Sequence, residues 1–360
     1  MQRIELAAGY DISRVIRGGW QLSGSHSGKV VGDPVGDMIA FADAGITTFD
    51  CADIYTGVED LIGSFRQHYR DLRGPEALSR IRVHTKFVPD LAILPRIDKA
   101  YVAGVIDRSL RRLGMERLDL VQFHWWNYGV ERWLETAGWL EELRKAGKIE
   151  RIGGTNFDTD HLLAMIRSGV PMSSMQVQYS LLDRRPAKTM VAAASANGVA
   201  LFCYGSVAGG FLGEKWLGMA EPRAPLENRS LVKYQLVIDE FGGWELFQDL
   251  LRALSAIAKR HVTDIATIAS AAVLARPGVA AVIVGARNRA HLASNLKIAA
   301  IDLTPEDQAL LDGVLGRSHE LAGDVYTLER DTTGRHGAIM KYNLNDEGKG
   351  SAPRETARRN

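Results

Sequence analysis

From Val15 onward the chain alternates short apolar, β-rich runs with longer segments whose apolar residues recur at helical spacing. That rhythm predicts strand–helix units feeding a parallel sheet. Eight runs end near Trp20, Asp50, Lys86, His124, Asn156, Gln176, Tyr204 and Val284. Amphipathic stretches such as Tyr101 to Leu113, Trp133 to Ala146 and Thr189 to Ala196 separate them. An open doubly wound sheet would want a Gly-rich phosphate loop after an early strand, and no G-x-G-x-x-G occurs. The count therefore favours an α/β fold of the closed (β/α)8, or TIM-barrel, kind. Functional side chains then belong at the C-terminal ends of several different strands.

Two stretches break the rhythm. Ala208 to Gly243 is rich in Gly and Pro and is expected to be a long loop over the C-terminal mouth of the barrel. Residues 1–317 are thus expected to form one barrel domain including that loop at about 208–243, followed by a C-terminal loop and tail over 318–360. Asn343 to Asn360 lacks apolar periodicity and is expected to be mobile.

Composition narrows the function classes. With 46% hydrophobic and 24% charged residues over 360 positions, the chain resembles ordinary globular proteins. A net charge of +1 supplies no field for nucleic acid or an anionic membrane surface. No run of about 20 apolar residues suggests a membrane span, and Met1 to Arg14 holds no secretory apolar core. Cys51 and Cys203 make neither a disulfide framework nor a metal cluster. A cytoplasmic protein acting on a small molecule, without metal, nucleic-acid or membrane partner, is the expectation. The pattern carries no sign of oligomeric state.

The polar residues at the strand ends carry the chemistry. Thr48-Phe49-Asp50 closes the second run and Tyr55 follows five residues later; the third closes on His84-Thr85-Lys86-Phe87, the fourth on Gln122-Phe123-His124-Trp125. A free phenol, with a pKa near 10, is a weak acid for protonating an alkoxide at neutral pH. A lysine ammonium within about 4–6 Å would lower it, and an aspartate would hold that lysine charged and aimed. Each residue alone has a plainer reading: a helix cap, a loop aromatic, a solvated strand end, a core histidine. Four such types in order at successive strand ends argue for a site.

In these residues the chain resembles the aldo-keto reductase family. The likeness extends through Gly154-Thr155-Asn156-Phe157, Gln176, Tyr179-Ser180-Leu181-Leu182, Tyr204 and Ile283-Val284-Gly285-Ala286-Arg287 with Asn295. The resemblance implies reduction of an aldehyde or ketone by a nicotinamide cofactor, with Tyr55 as proton donor, Lys86 and Asp50 supporting it, and His124 bonded to the carbonyl oxygen. It implies that Thr155, Asn156 and Gln176 bind the carboxamide and that Tyr204 stacks on the ring, with Gly19, Trp20, Gly205 and Ser206 nearby. Ala286, Arg287, His291 and Asn295 fall in the adenosine-phosphate segment. Arg287 suits a 2′-phosphate because a guanidinium forks onto phosphate oxygens. Gly285 stands where some members carry lysine, and His291 where others carry arginine or glutamine, so NADP(H) is preferred only moderately over NAD(H).

Trp20, Trp125 and Trp126 are expected to wall the substrate mouth, joined by Tyr128, Phe211 or Trp216, and Tyr326. Two other functions compete: an NAD(P)-linked dehydrogenase oxidising a sugar or alcohol, and a cofactor-binding regulatory barrel with negligible turnover. The intact tetrad argues against the second. A metal-dependent hydrolase or isomerase on the same barrel is disfavoured by the scattered histidines.

Overall fold

In the computed structural model, which describes residues 1–23, 32–223, 226 and 228–345, the eight apolar runs are the strands of one closed, all-parallel barrel. A hairpin precedes it, formed by β1 (Arg3–Ala7) and β2 (Tyr10–Ser13). The barrel strands are β3 (Val15–Gly18), β4 (Thr48–Asp50), β5 (Arg82–Phe87), β6 (Leu118–Phe123), β7 (Ile149–Thr155), β8 (Met172–Gln178), β9 (Ala200–Tyr204) and β10 (Val279–Gly285). Each pairs with the next in sequence, and β10 closes onto β3 with Val284 opposite Arg17.

Side chains alternate along a strand between the barrel interior and the helix layer. In β6, Leu120 joins Ile16, Phe202 and Ala281 in an interior cluster, whereas Val121 and Phe123 pack in the large outer core. The hairpin closes the lower end: Tyr10 is fully buried and its hydroxyl lies 3.2 Å from His84 Nε2.

The helices form for local reasons. In α3 (Lys99–Leu113), after α1 (Pro34–Asp43) and α2 (Val58–Ser79), Asp98 caps the Tyr101 amide and Val102, Val105, Ile106 and Leu113 bury one face. Gly114, at φ 60°, ends it in the left-handed region that glycine tolerates. The outer layer continues with α4 (Trp133–Lys145), α5 (Thr159–Arg167) and α6 (Met190–Ala196).

Between β9 and β10 the chain departs from expectation. Residues 208–243 are not one long loop: after two short turns they form α7 (Arg229–Phe241), followed by α8 (Gly243–Arg260) and α9 (Ile265–Leu274). Leu231, Tyr234, Val237, Ile238 and Phe241 share one face and build a second core with Phe247, Leu251 and Leu311. After α10 (Leu292–Ile298) and α11 (Pro305–Leu315), the C-terminal segment crosses the mouth and includes the short α12 (Thr327–Arg330). Its described part is tied down, with Asn345 bonded to Val88 O and Asp90. The rest of the expected mobile tail, 346–360, lies outside the described residues.

Candidate active site

Strand parity brings Asp50 and Lys86 together at the mouth, with Tyr55 beside them on the turn after β4 and His124 just past the end of β6. Asp50 ends β4 and Lys86 lies one residue before the end of β5, both pointing inward; the Lys86 ammonium sits 2.6 Å from Asp50 Oδ2 and donates to Cys51 O at 2.8 Å. Both side chains are nearly buried, at 5% and 6% exposure. The other Asp50 oxygen accepts from Gln122 Nε2 at 3.0 Å and Gln176 Nε2 at 2.6 Å. Gln122, one inward step below His124 on β6, is a support that residue type alone did not reveal. Tyr55, on the turn after β4, is half-buried with its ring centre 5.0 Å from the ammonium and 5.1 Å from the Trp20 ring.

Burial opposes the charged form of Lys86, but Asp50 and Tyr55 outweigh it and hold the ammonium above its ordinary range. Burial also pushes the Tyr55 phenol above its ordinary value, with Lys86 pulling the other way. Lysine therefore limits the rise and does not lower the phenol below 10, as the residues alone had suggested. The phenol keeps its proton at neutral pH.

His124 continues the inward series past the end of β6 and is almost fully buried. Burial, with Arg330 second, depresses its pKa to about 3, so the imidazole is neutral. Its Nδ1 lies 3.0 Å from the Thr155 carbonyl, which only accepts, so Nδ1 carries the ring proton. Nε2 is then a lone pair, buried and without a partner among the described residues. In this tautomer Nε2 accepts a hydrogen bond and does not donate one.

The tryptophans divide. Trp126 stays at the site, its ring perpendicular to His124 with centroids 4.3 Å apart. Trp125 takes the outward parity, is fully buried, and donates its indole N–H to Asn127 O and Val130 O; it packs the core and does not wall the mouth. Phe211 is likewise withdrawn, stacked with Trp216, Trp244 and Phe247 in the second core.

Groups from the C-terminal segment complete the rim. Tyr326 is nearly buried with its ring edge-on to His124 at 5.8 Å. Arg330 donates to Asn156 O and Trp125 O, both at 2.8 Å. Glu329 is fully buried against Arg185, which also grips Asp183, and Lys233 of α7 lies 3.5 Å from Glu329. No local sequence signal marks these as partners.

A model of the Aldo/keto reductase family matches residues 14–315. The chain belongs to that family. It is 26% identical over 321 residues to aldo-keto reductase YhdN of Bacillus subtilis (strain 168), covering 85% of this chain and 91% of that one. It is 27% identical over 255 residues to flagellar radial spoke protein 5 of Chlamydomonas reinhardtii; the match covers 61% of this chain and 47% of that protein, about half its length. A solved structure of the thermostable aldo-keto reductase Tm1743 in complex with the inhibitor epalrestat is 26% identical, with a TM-score of 0.65, covering 87% of this chain and 100% of that one. Aldo/keto reductase membership makes the protein an NAD(P)-dependent oxidoreductase of carbonyl groups. Among the described residues no helix is long and apolar enough to cross a membrane.

The remaining residues expected at the cofactor of this aldo/keto reductase fall along one arc of the mouth. Thr155 and Gln176 are bonded to each other at 3.4 Å, and Gln176 is committed to Asp50. Asn156, at φ 62°, accepts from the Tyr204 hydroxyl at 2.8 Å. Gly205 has φ 74°, and a Cβ there would meet Tyr234 OH at 2.3 Å; Ser206 is buried and bonded to Ser270. A Cβ on Gly19 would meet Val58 at 2.7 Å and Asp50 O at 2.9 Å, so this glycine serves close packing. At the far end Arg287 and His291 are exposed, Ala286 is buried, and Asn295 is buried with its Nδ2 lacking a partner among the described residues. Arg289 is ion-paired with Asp37 at 2.7 Å.

Proposed function

We propose that the protein reduces an aldehyde or ketone to an alcohol, with Tyr55 as the proton donor and NADP(H) preferred over NAD(H). The observation that carries this is the buried Lys86 ammonium, held by Asp50 and set against the Tyr55 ring. A bound nicotinamide would supply the hydride. Tyr55 keeps its O–H until charge develops on the substrate oxygen and then gives up the proton. Lys86 stabilises the phenolate left behind, in a low-dielectric site where such an interaction is strong. Asp50 fixes Lys86 in place, and Gln122 and Gln176 fix Asp50.

The residues along the arc fit the cofactor. The half-exposed Tyr204 ring offers a stacking face, Asn156 an amide, and Asn295 Nδ2, without a partner among the described residues, and exposed Arg287 suit the adenosine phosphate. Residues 1–317 act as one barrel unit in this reading, and the segment from 318 supplies a wall of its mouth.

Titrating NADPH and NADH against tryptophan fluorescence, in the natural protein and Tyr55→Phe, followed by turnover on aromatic aldehydes and aldoses, tests the proposal. Cofactor binding is expected in both forms, with turnover falling on the order of 10²–10⁴-fold in Tyr55→Phe. Binding by the natural protein with no turnover would instead make it a cofactor-binding regulatory barrel.

A further inference from the structure

Away from the tetrad, three cations converge on one cavity. Arg184 and Lys188, in the turns after β8, meet Arg276, from the turn between α9 and β10, around a space of about 230 Å³. Part of α11 and the C-terminal segment close its other sides, and no member of the tetrad lines it. Arg276 is half-buried and makes no hydrogen bond or ion pair among the described residues. Arg184 donates to the Ser318 hydroxyl at 2.8 Å and reaches no carboxylate among those residues. Lys188 donates to the Leu321 carbonyl at 2.7 Å and stands 3.8 Å from the exposed Glu320, a contact that solvent weakens. Tyr179 also lines the cavity; it is only 4% exposed, and its hydroxyl has no partner among the described residues. Burial raises this phenol while Arg276 and Arg184 pull it back, which puts both guanidiniums near its oxygen. Like charges that converge without a counterion repel, and a buried donor without an acceptor is costly, so the lining is complementary to an anion.

We propose that Arg184, Arg276 and Tyr179 bind the phosphate group of a small phosphate monoester, at a site separate from those of the cofactor and the carbonyl substrate. Two guanidiniums and a phenol O–H offer more donors than the two oxygens of a carboxylate can take, whereas the three outer oxygens of a phosphate monoester accept from all of them. A phosphate alone does not fill 230 Å³, so a short carbon chain is accommodated with it. Asp312 and Glu320, exposed at the edge of the same cavity, repel a second anionic end and accept from hydroxyls, which fits a hydroxylated ester. The site also bears on the barrel mouth. Arg184 and Lys188 hold Ser318 and Leu321 of the C-terminal segment, and Arg185, next along the chain, grips Glu329. An anion that draws Arg184 and Arg276 together therefore fastens the segment that carries Tyr326 and Arg330 to the rim.

The test is a calorimetric titration of glycerol 3-phosphate at low ionic strength into the natural protein, Arg276→Ala, Tyr179→Phe and Arg287→Ala. Losing a hydrogen bond to a charged group should weaken binding about tenfold or more in Arg276→Ala and severalfold in Tyr179→Phe. Arg287, exposed at the adenosine end of the mouth, serves as the control, and its replacement should leave binding unchanged. Absence of binding by the natural protein in the millimolar range overturns the proposal. So does binding that survives Arg276→Ala and is lost in Arg287→Ala, since the ester would then occupy the cofactor's own phosphate site. Inorganic phosphate bound as tightly as the ester overturns the assignment to a monoester. Tyr179→Phe removes a single oxygen that bonds to nothing else among the described residues, so it remains a fair test should Arg276→Ala fold poorly. Hydrogen exchange of the amides from Leu321 to Arg330 should slow severalfold when glycerol 3-phosphate is added to the natural protein, and unchanged exchange overturns the fastening of the segment. None of these readouts uses turnover, so their failure is distinct from failure of the reductase reading.

Discussion

Replacing Lys86 by methionine deletes one charge of a buried pair and leaves the other. Asp50 would keep only the amides of Gln122 and Gln176, on one of its two oxygens. Stranding a buried charge in this way costs about 3–5 kcal/mol. Lys86→Met should therefore lower the unfolding free energy by about 3 kcal/mol in urea titrations at neutral pH. It should also reduce kcat/KM on the order of 10²–10³-fold, the usual consequence of removing a charge preorganised for the transition state. Adding Asp50→Asn separates the two effects. The asparagine oxygen still accepts from Gln122 and Gln176 while the stranded charge is gone, so about 2 kcal/mol of stability should return. Activity should not return with it. A single variant as stable as the natural protein to within about 0.5 kcal/mol, or a double variant less stable than the single, would refute the claim that the pair is coupled in the folded state. Unchanged kcat/KM in Lys86→Met would refute the dependence of Tyr55 on the ammonium.

Three further outcomes follow from the geometry. Burial works to raise the Glu329 carboxyl, but Lys233 and Arg185 overcome it and hold it at about 2, below its ordinary 4.5. Its stabilising contribution is thus present above pH 4.5 and is lost as pH falls toward 2, by up to about 3 kcal/mol. The stability gap between the natural protein and Glu329→Gln should narrow between pH 5 and pH 3 in urea titrations; a constant gap contradicts the ion cluster. A Cβ at Gly63 would stand 2.1 Å from the backbone oxygen of Arg112, where α2 meets α3, so Gly63→Ala should destabilise by about 1–3 kcal/mol and lower Tm. Arg287→Ala should weaken NADPH binding by about tenfold and NADH by less than twofold; equal losses for both would remove Arg287 from the 2′-phosphate.

Much of this architecture was legible because barrel strands announce themselves twice, by apolar runs and by polar residues stranded at their ends. Each expected strand end lies within two residues of the observed one, from Gly18 at the first to Gly285 at the last. Inward parity was legible too, although residue type obscured it: His124 and Trp125 are adjacent and must face opposite ways, so both could not line the mouth. The helix Arg229–Phe241 was hidden by the Gly- and Pro-rich stretch before it, even though Leu231, Tyr234, Ile238 and Phe241 have helical spacing. The hairpin Arg3–Ala7 and Tyr10–Ser13 was missed because two short strands show too few repeats to establish a period. Glu329 and Arg330 gave the weakest trace, because their partners are 144 and 205 residues distant and no local pattern encodes such pairing.

That separation bears on how the protein is made. The backbone oxygens of Asn156 and Trp125 and the guanidinium of Arg185 emerge from the ribosome long before Arg330 and Glu329 arrive to meet them. Closing such long loops is entropically costly and comes late in folding. A nascent chain can therefore assemble the tetrad from the first half of its strands while the rim above it still stands open. A chain that stopped short of residue 326 would carry Asp50, Tyr55, Lys86 and His124 but lack Tyr326, Glu329 and Arg330 at the rim above them.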